Sequence, residues 1–183
     1  AIGYQALNAN TIGGGNTALG YASGASITTG NSNTAVGINS LVTNATGSDN
    51  TAIGRRALRL NTADNNTAVG SLALDSNTTG TNSVAVGYQA LYVNTTGTRN
   101  TAIGSTALQA NTTGQENTAV GFGTLYQATT GSYNNAFGSS DGVVGPALGN
   151  NLTGSYNNAF GNGALGNNNA NNNSAFGHSA LKQ

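Results

Sequence analysis

The chain has 183 residues, carries charge on only 5% of them, and has a formal net charge of zero. Soluble domains usually hold about 25% charged residues, and a neutral chain lacks the basic field that draws proteins to nucleic acid or anionic membranes. It contains no Cys, Met or Trp and a single Pro, which excludes a disulfide scaffold and a thiolate metal site.

A motif of the form T-A-(V/I)-G-x-x-A-L-x-x-N-T-T-G-x-x-N recurs along the chain. Its first glycine falls at Gly3, Gly20, Gly37, Gly54, Gly70, Gly87, Gly104, Gly121, Gly138, Gly161 and Gly177. The usual step is 17 residues; the steps to Gly70 and Gly177 are 16, and that from Gly138 to Gly161 is 23, or 17 plus 6. A period of 17 is too short for a paired-helix repeat and too regular for disorder, and it suits one coil of a stacked β-structure. The chain is therefore expected to be all-β: a parallel β-solenoid or β-roll of about eleven coils, one repeat array over residues 1–183. It opens inside the motif at Ala1-Ile2-Gly3 and stops at Lys182-Gln183, one turn into another copy, so it reads as a segment of a longer chain.

Each coil divides into predicted elements. Thr-Ala-Val, as in Val84-Ala85-Val86, reads as a short strand whose side chains alternate between faces. The glycine after it suits a bend or a positive φ. Ala-Leu is expected to start a second short strand, and Asn-Thr-Thr-Gly to close the coil with glycine in the left-handed position of a turn. Equivalent residues should stack about 4.8 Å apart, which makes eleven coils a rod on the order of 50 Å long. Asn16, Asn33, Asn50, Asn66, Asn100 and Asn117 would then form a hydrogen-bonded column.

The apolar supply per coil is small, which makes a thin core. The Thr/Val and Val/Ile slots are assigned to the inside and the Ala between them to the outside. That column is Ala18, Ala35, Ala52, Ala68, Ala85, Ala102, Ala119, Ala136, Ala159 and Ala175. An outward slot that accepts only methyl implies close approach of another surface. The preferred reading is contact with another protomer in a side-by-side homotrimer; the alternative is packing under a neighbouring loop of the same chain.

Along the chain, Gly13-Gly14-Gly15 lacks the Lys-Ser/Thr and helix of a phosphate loop. Arg55, Arg56 and Arg59 form the one basic cluster, which either solvates the rod or touches a glycan. Arg59 with Asp75, 16 apart, and Arg99 with Glu116, 17 apart, are expected to meet on adjacent coils as exposed pairs. Residues 141–146 should bulge as a surface loop without breaking the stack, and mark the best place for a specific contact. Phe137, Phe160 and Phe176 should stack inward.

Little points to chemistry. His178 has no acidic neighbour in sequence, and Asp49, Asp64, Asp75, Glu116 and Asp141 are scattered at most one per coil, so no catalytic residue, metal ligand or cofactor site is assigned. The turns lack the recurrent Asp of calcium-binding repeats. The Asn-x-Ser/Thr triplets at Asn44, Asn65, Asn77, Asn94, Asn111, Asn151 and Asn172 follow from the repeat itself.

Ser83-Val84-Ala85-Val86-Gly87 followed by Ala90 resembles the head repeat of trimeric autotransporter adhesins. The run from Gly87 through Asn94-Thr95-Thr96-Gly97 is similar to repeats of surface fibres and phage tail-fibre-like proteins. The resemblance implies short-coil β-rolls with three chains side by side, an extracellular, cell-surface or virion location, and adhesion or fibre formation; its 17-residue period is longer than the adhesin coil. The expected role is thus a passive structural or adhesive fibre segment, partnered by itself and by a host surface or glycan. The alternatives are an ice-binding β-solenoid, which would present Thr columns outward, and a single-chain glycosylated surface fibre. A polysaccharide lyase or hydrolase would need clustered carboxylates or bases on one face, which the sequence does not supply.

Overall fold

The computed structural model describes residues 1–140, 142 and 144–181. They form a β-solenoid whose strands make one parallel sheet in strict sequence order: β1 (Thr17–Leu19), β2 (Thr34–Val36), β3 (Thr51–Ile53), β4 (Thr67–Val69), β5 (Val84–Val86), β6 (Thr101–Ile103), β7 (Thr118–Val120), β8 (Asn135–Phe137), β9 (Asn158–Phe160) and β10 (Ser174–Phe176). The register matches the repeat residue for residue, as in Ala85 against Ala102 and Val86 against Ile103. It survives the insertion, since Asn135, Ala136 and Phe137 pair with Asn158, Ala159 and Phe160. Residues 141 and 143 of that insertion lie outside the described residues.

The facing of the strands is the reverse of the expectation. All ten alanines of the column lie inside the coil, at most 4% exposed, while the residues on either side of each point outward. The reason is the narrowness of the coil. The strand alanine meets the buried Ala90–Leu91 type columns of its own chain, and the whole set forms one continuous core. Only a methyl group fits that gap. The close surface that excludes larger side chains is thus the chain's own far wall, and the column offers nothing for a second protomer to touch.

Ala-Leu does not start a second strand. It lies in a turn, with the leucine in left-handed conformation in coil after coil: φ is 50° at Leu41 and Leu58, 51° at Leu91 and 50° at Leu108. One coil has four such positions, shown by Gly87 (φ 136°), Gln89 (55°), Leu91 (51°) and Arg99 (56°). Left-handed backbone costs a non-glycine residue roughly 1–2 kcal/mol. Two contributions offset this. Burying a leucine fully contributes about 1.5–3 kcal/mol, and Leu91 is wholly buried. Each strained amide also donates to a neighbouring coil: Gln89 to the Ser71 carbonyl (3.1 Å), Leu91 to Ala107 (3.0 Å) and Arg99 to Thr81 (3.0 Å).

The two glycine columns serve different purposes. The first, after the strand, has φ between 121° and 146° and packs directly on its counterpart. A Cβ at Gly104 would lie 2.6 Å from the Gly121 carbonyl oxygen. The glycine of Asn-Thr-Thr-Gly is not left-handed. It is required only by proximity, because a Cβ on Gly97 would run into the Gly114 carbonyl oxygen of the next coil.

Coil-specific compensation is visible near the start of the chain. Gly24 replaces the core leucine, and Ile27, in the position of the turn asparagine, fills the space: a Cβ at Gly24 would sit 3.0 Å from its Cδ1. Ile27 is completely buried.

Gly104→Val adds a branched side chain at a left-handed position facing backbone. It should lower the unfolding free energy by about 2–4 kcal/mol in chemical denaturation, whereas Tyr88→Ser, on the exposed side of a neighbouring coil, should stay within about 0.5 kcal/mol.

Candidate functional surfaces

Three features of the solenoid have functional potential: its outward sheet face, its internal polar ladders with one ion cluster, and a groove beside the insertion.

The sheet face carries two outward columns. One is Thr34, Thr51, Thr67, Thr101 and Thr118, all half-buried, with Val84 in the same line. The other is Leu19, Val36, Ile53, Val69, Val86, Ile103 and Val120, continued by Phe137, Phe160 and Phe176. The phenylalanines stack as expected, with centroids 4.8 and 5.0 Å apart and planes within 6°. They do so on the outside, 36%, 37% and 70% exposed. The inward assignment is therefore corrected, and the strand threonines become a surface feature. The first threonine of Asn-Thr-Thr-Gly is structural instead: Thr95 Oγ1 donates to the Thr112 carbonyl and Thr112 Oγ1 to that of Thr129, both at 3.0 Å.

Two asparagine ladders run inside. In the expected one, Asn100 Oδ1 accepts from the Asn117 amide (2.9 Å) and Asn100 Nδ2 donates to the Gly114 carbonyl (2.8 Å). Ser83 substitutes in this column, and its Oγ still accepts from the Asn100 amide at 3.3 Å. The second ladder, of the Asn-Thr-Thr asparagines, was not anticipated: Asn94 Nδ2 donates to Asn77 Oδ1 and Asn111 Nδ2 to Asn94 Oδ1, each at 2.7 Å. The signal was the recurrence of that asparagine at Asn44, Asn61, Asn77, Asn94, Asn111 and Asn151, interrupted at Ile27 and Ala128. Its burial also bears on glycosylation. Asn44, Asn77, Asn94, Asn111 and Asn151 are fully buried, which leaves Asn65 and Asn172 as the exposed members of the Asn-x-Ser/Thr set.

Both charge pairs form. Arg99 meets Glu116 at 2.6 Å near solvent. Arg59 binds Asp75 through two hydrogen bonds of 3.0 Å, and Arg56 adds two more of 3.0 and 3.2 Å. The Asp75 side chain is only 1% exposed, so this is a buried carboxylate between two guanidinium forks rather than an exposed pair. The hydrogen bond to Asp75 raises the Arg59 pKa above its ordinary value, with burial pulling the other way. Two of the three arginines of the basic cluster are thereby used inside the chain.

His178 is exposed, with Ser179 Oγ 3.4 Å from its Nδ1. Among the described residues no group of three or more His, Cys, Asp or Glu side chains could hold a metal ion, and no helix is long and apolar enough to cross a membrane. Asp141 lies outside the described residues. Beside the insertion, Phe122, Tyr126 and Pro146 line a groove of about 390 Å³. No family model matches the chain, and no curated protein or solved structure matches it either.

Replacing both Arg56 and Arg59 by Gln strands the Asp75 carboxylate and should cost about 3–5 kcal/mol. Arg99→Gln should cost no more than about 1 kcal/mol, and denaturant midpoints will separate the two.

The second ladder also has a gap. Ala128 takes the asparagine position, and Asn111 Oδ1, which would accept from it, is buried without a hydrogen-bond partner. Ala128→Asn should supply the missing donor and raise stability by about 1 kcal/mol, read as an increased melting temperature.

Proposed function

We propose that this chain is a structural, adhesive segment of an extracellular or virion fibre, and that it packs side by side with copies of itself. The observation that carries the reading is the outward column of Val, Ile and Phe that follows the sheet from β1 to β10. Isolated apolar side chains on a surface need no explanation, but a contiguous apolar stripe marks an interaction site. The stripe has the same period as the fold, so it is self-complementary along its whole length. A closed cyclic assembly, three chains in the simplest case suggested by the Ser-Val-Ala-Val-Gly resemblance, would cover it. The role needs no catalytic group, and the buried asparagines serve the two ladders that join coil to coil.

A second reading is favoured by the outward threonines. A sheet face with Thr and aliphatic columns side by side is the arrangement an ice-binding solenoid would need, and in that case the face stays open to water. The two readings compete for one surface.

Light scattering on the intact chain should give a mass near three protomers and no thermal hysteresis. A monomer that produces thermal hysteresis would replace the fibre reading by the ice-binding one. Val86→Lys combined with Ile103→Lys should reduce the mass to one protomer with circular dichroism unchanged. Ala85→Lys, which places a charge inside the coil, should instead unfold the neighbouring coils.

A further inference from the structure

We propose that the groove beside the insertion is a binding site for an uncharged carbohydrate of one or two rings. This places the adhesive part of the fibre reading and rests on that reading for its biological meaning, although the groove itself belongs to a single chain.

The largest break in the period is where six residues enter after Ser140. The groove lies at that point. Phe122 and Tyr126 stand 54% and 41% exposed on one coil, and Pro146, the only proline of the chain, closes the apolar floor. Thr106, Ser140 and Asn150 supply hydroxyl and carboxamide groups around it.

The site is built rather than incidental. Gly149 stands where the two preceding full-length coils carry Gln109 and Tyr126, and a Cβ there would come within 2.8 Å of Pro146 Cγ, so its glycine is what lets the proline settle into the floor. Asn150 is oriented by donating Nδ2 to Asn167 Oδ1 at 2.7 Å. Ser140 donates its amide to the Phe122 carbonyl (3.1 Å) and accepts from the Gly142 amide through Oγ (3.2 Å).

The chemistry selects the ligand class. Aromatic faces carry negative potential and receive the C–H edge of a pyranose, while hydroxyl and amide groups around them pair with sugar hydroxyls. Among the described residues none of those lining the groove carries an Asp, Glu, Lys, Arg or His side chain, so neither a phosphodiester nor a sialylated or sulfated glycan finds a counter-charge among them. The volume is near the lower end for ligand sites, which suits a short saccharide better than an extended peptide.

The test is saturation-transfer NMR on the intact chain with lactose, maltose, cellobiose and chitobiose, and separately with a proline-rich decapeptide. At least one disaccharide should bind with a Kd on the order of 1 mM, and Phe122→Ala or Tyr126→Ala should weaken it about tenfold or more, or about 1.4 kcal/mol. Tyr88→Ala, an exposed aromatic on another coil, should leave binding unchanged. Circular dichroism on each variant keeps loss of fold separate from loss of binding. No response from any of the four sugars, a response unaffected by both groove variants, or binding of the peptide alone would overturn the proposal. These outcomes are independent of the mass and thermal-hysteresis results that decide the fibre reading.

Discussion

Every coil of this protein is held in a conformation it would not adopt alone, and the hydrogen bonds between coils hold it there. Leucine, arginine, glutamine and tyrosine sit in left-handed backbone at fixed places in the repeat. Their amides reach the coil above or below, not their own. A single coil would bear the strain without the bonds. Stacking therefore does more than bury surface, because it makes the turn geometry affordable. The glycine contacts follow from the same requirement: backbones that exchange so many bonds pass too closely for a Cβ at two places per coil.

The interior is arranged around this closeness. At the strand only a methyl group fits, and the leucine on the far wall fills most of the remaining apolar volume. The rest of the inside is amide. Asparagine suits it because one side chain both donates and accepts, so each member can satisfy a backbone group while joining its counterpart one coil away. Ser83 shows the minimum requirement, which is an acceptor for the next amide. Asn111 shows the cost of omitting a member.

Much of this was legible in the sequence. The period, the parallel stacking, the alignment of the 16- and 23-residue steps, the Asn100 column and the two charge pairs all follow from matching repeat to repeat. Facing was not legible. An alternation such as Thr-Ala-Val reads equally well in both directions, and choosing the larger residues for the core presumed a core wide enough to hold them. The left-handed leucines were hidden for a related reason: nothing in a β-turn preference assigns such backbone to a residue that must also be buried. Arg56 joining Asp75 was missed because it lies three residues before Arg59, outside the column that aligned Arg59 with Asp75. Of the candidate surfaces, the insertion was marked by its break in period, but the aromatic floor beside it depends on Phe122 and Tyr126 of the preceding coil.

The register between neighbouring coils also governs how such a chain can change in length. Adjoining columns match before and after any whole coil, so losing or gaining one unit of the period rejoins ends that already fit. Recombination between near-identical repeats would thus give longer and shorter rods that fold without further adjustment. The exceptions are coils whose residues are adapted to a particular neighbour, such as the one where Ile27 fills the place of a leucine, or the pair joined through Asp75. Those are the points at which the array is least interchangeable, and at which its length is most firmly fixed.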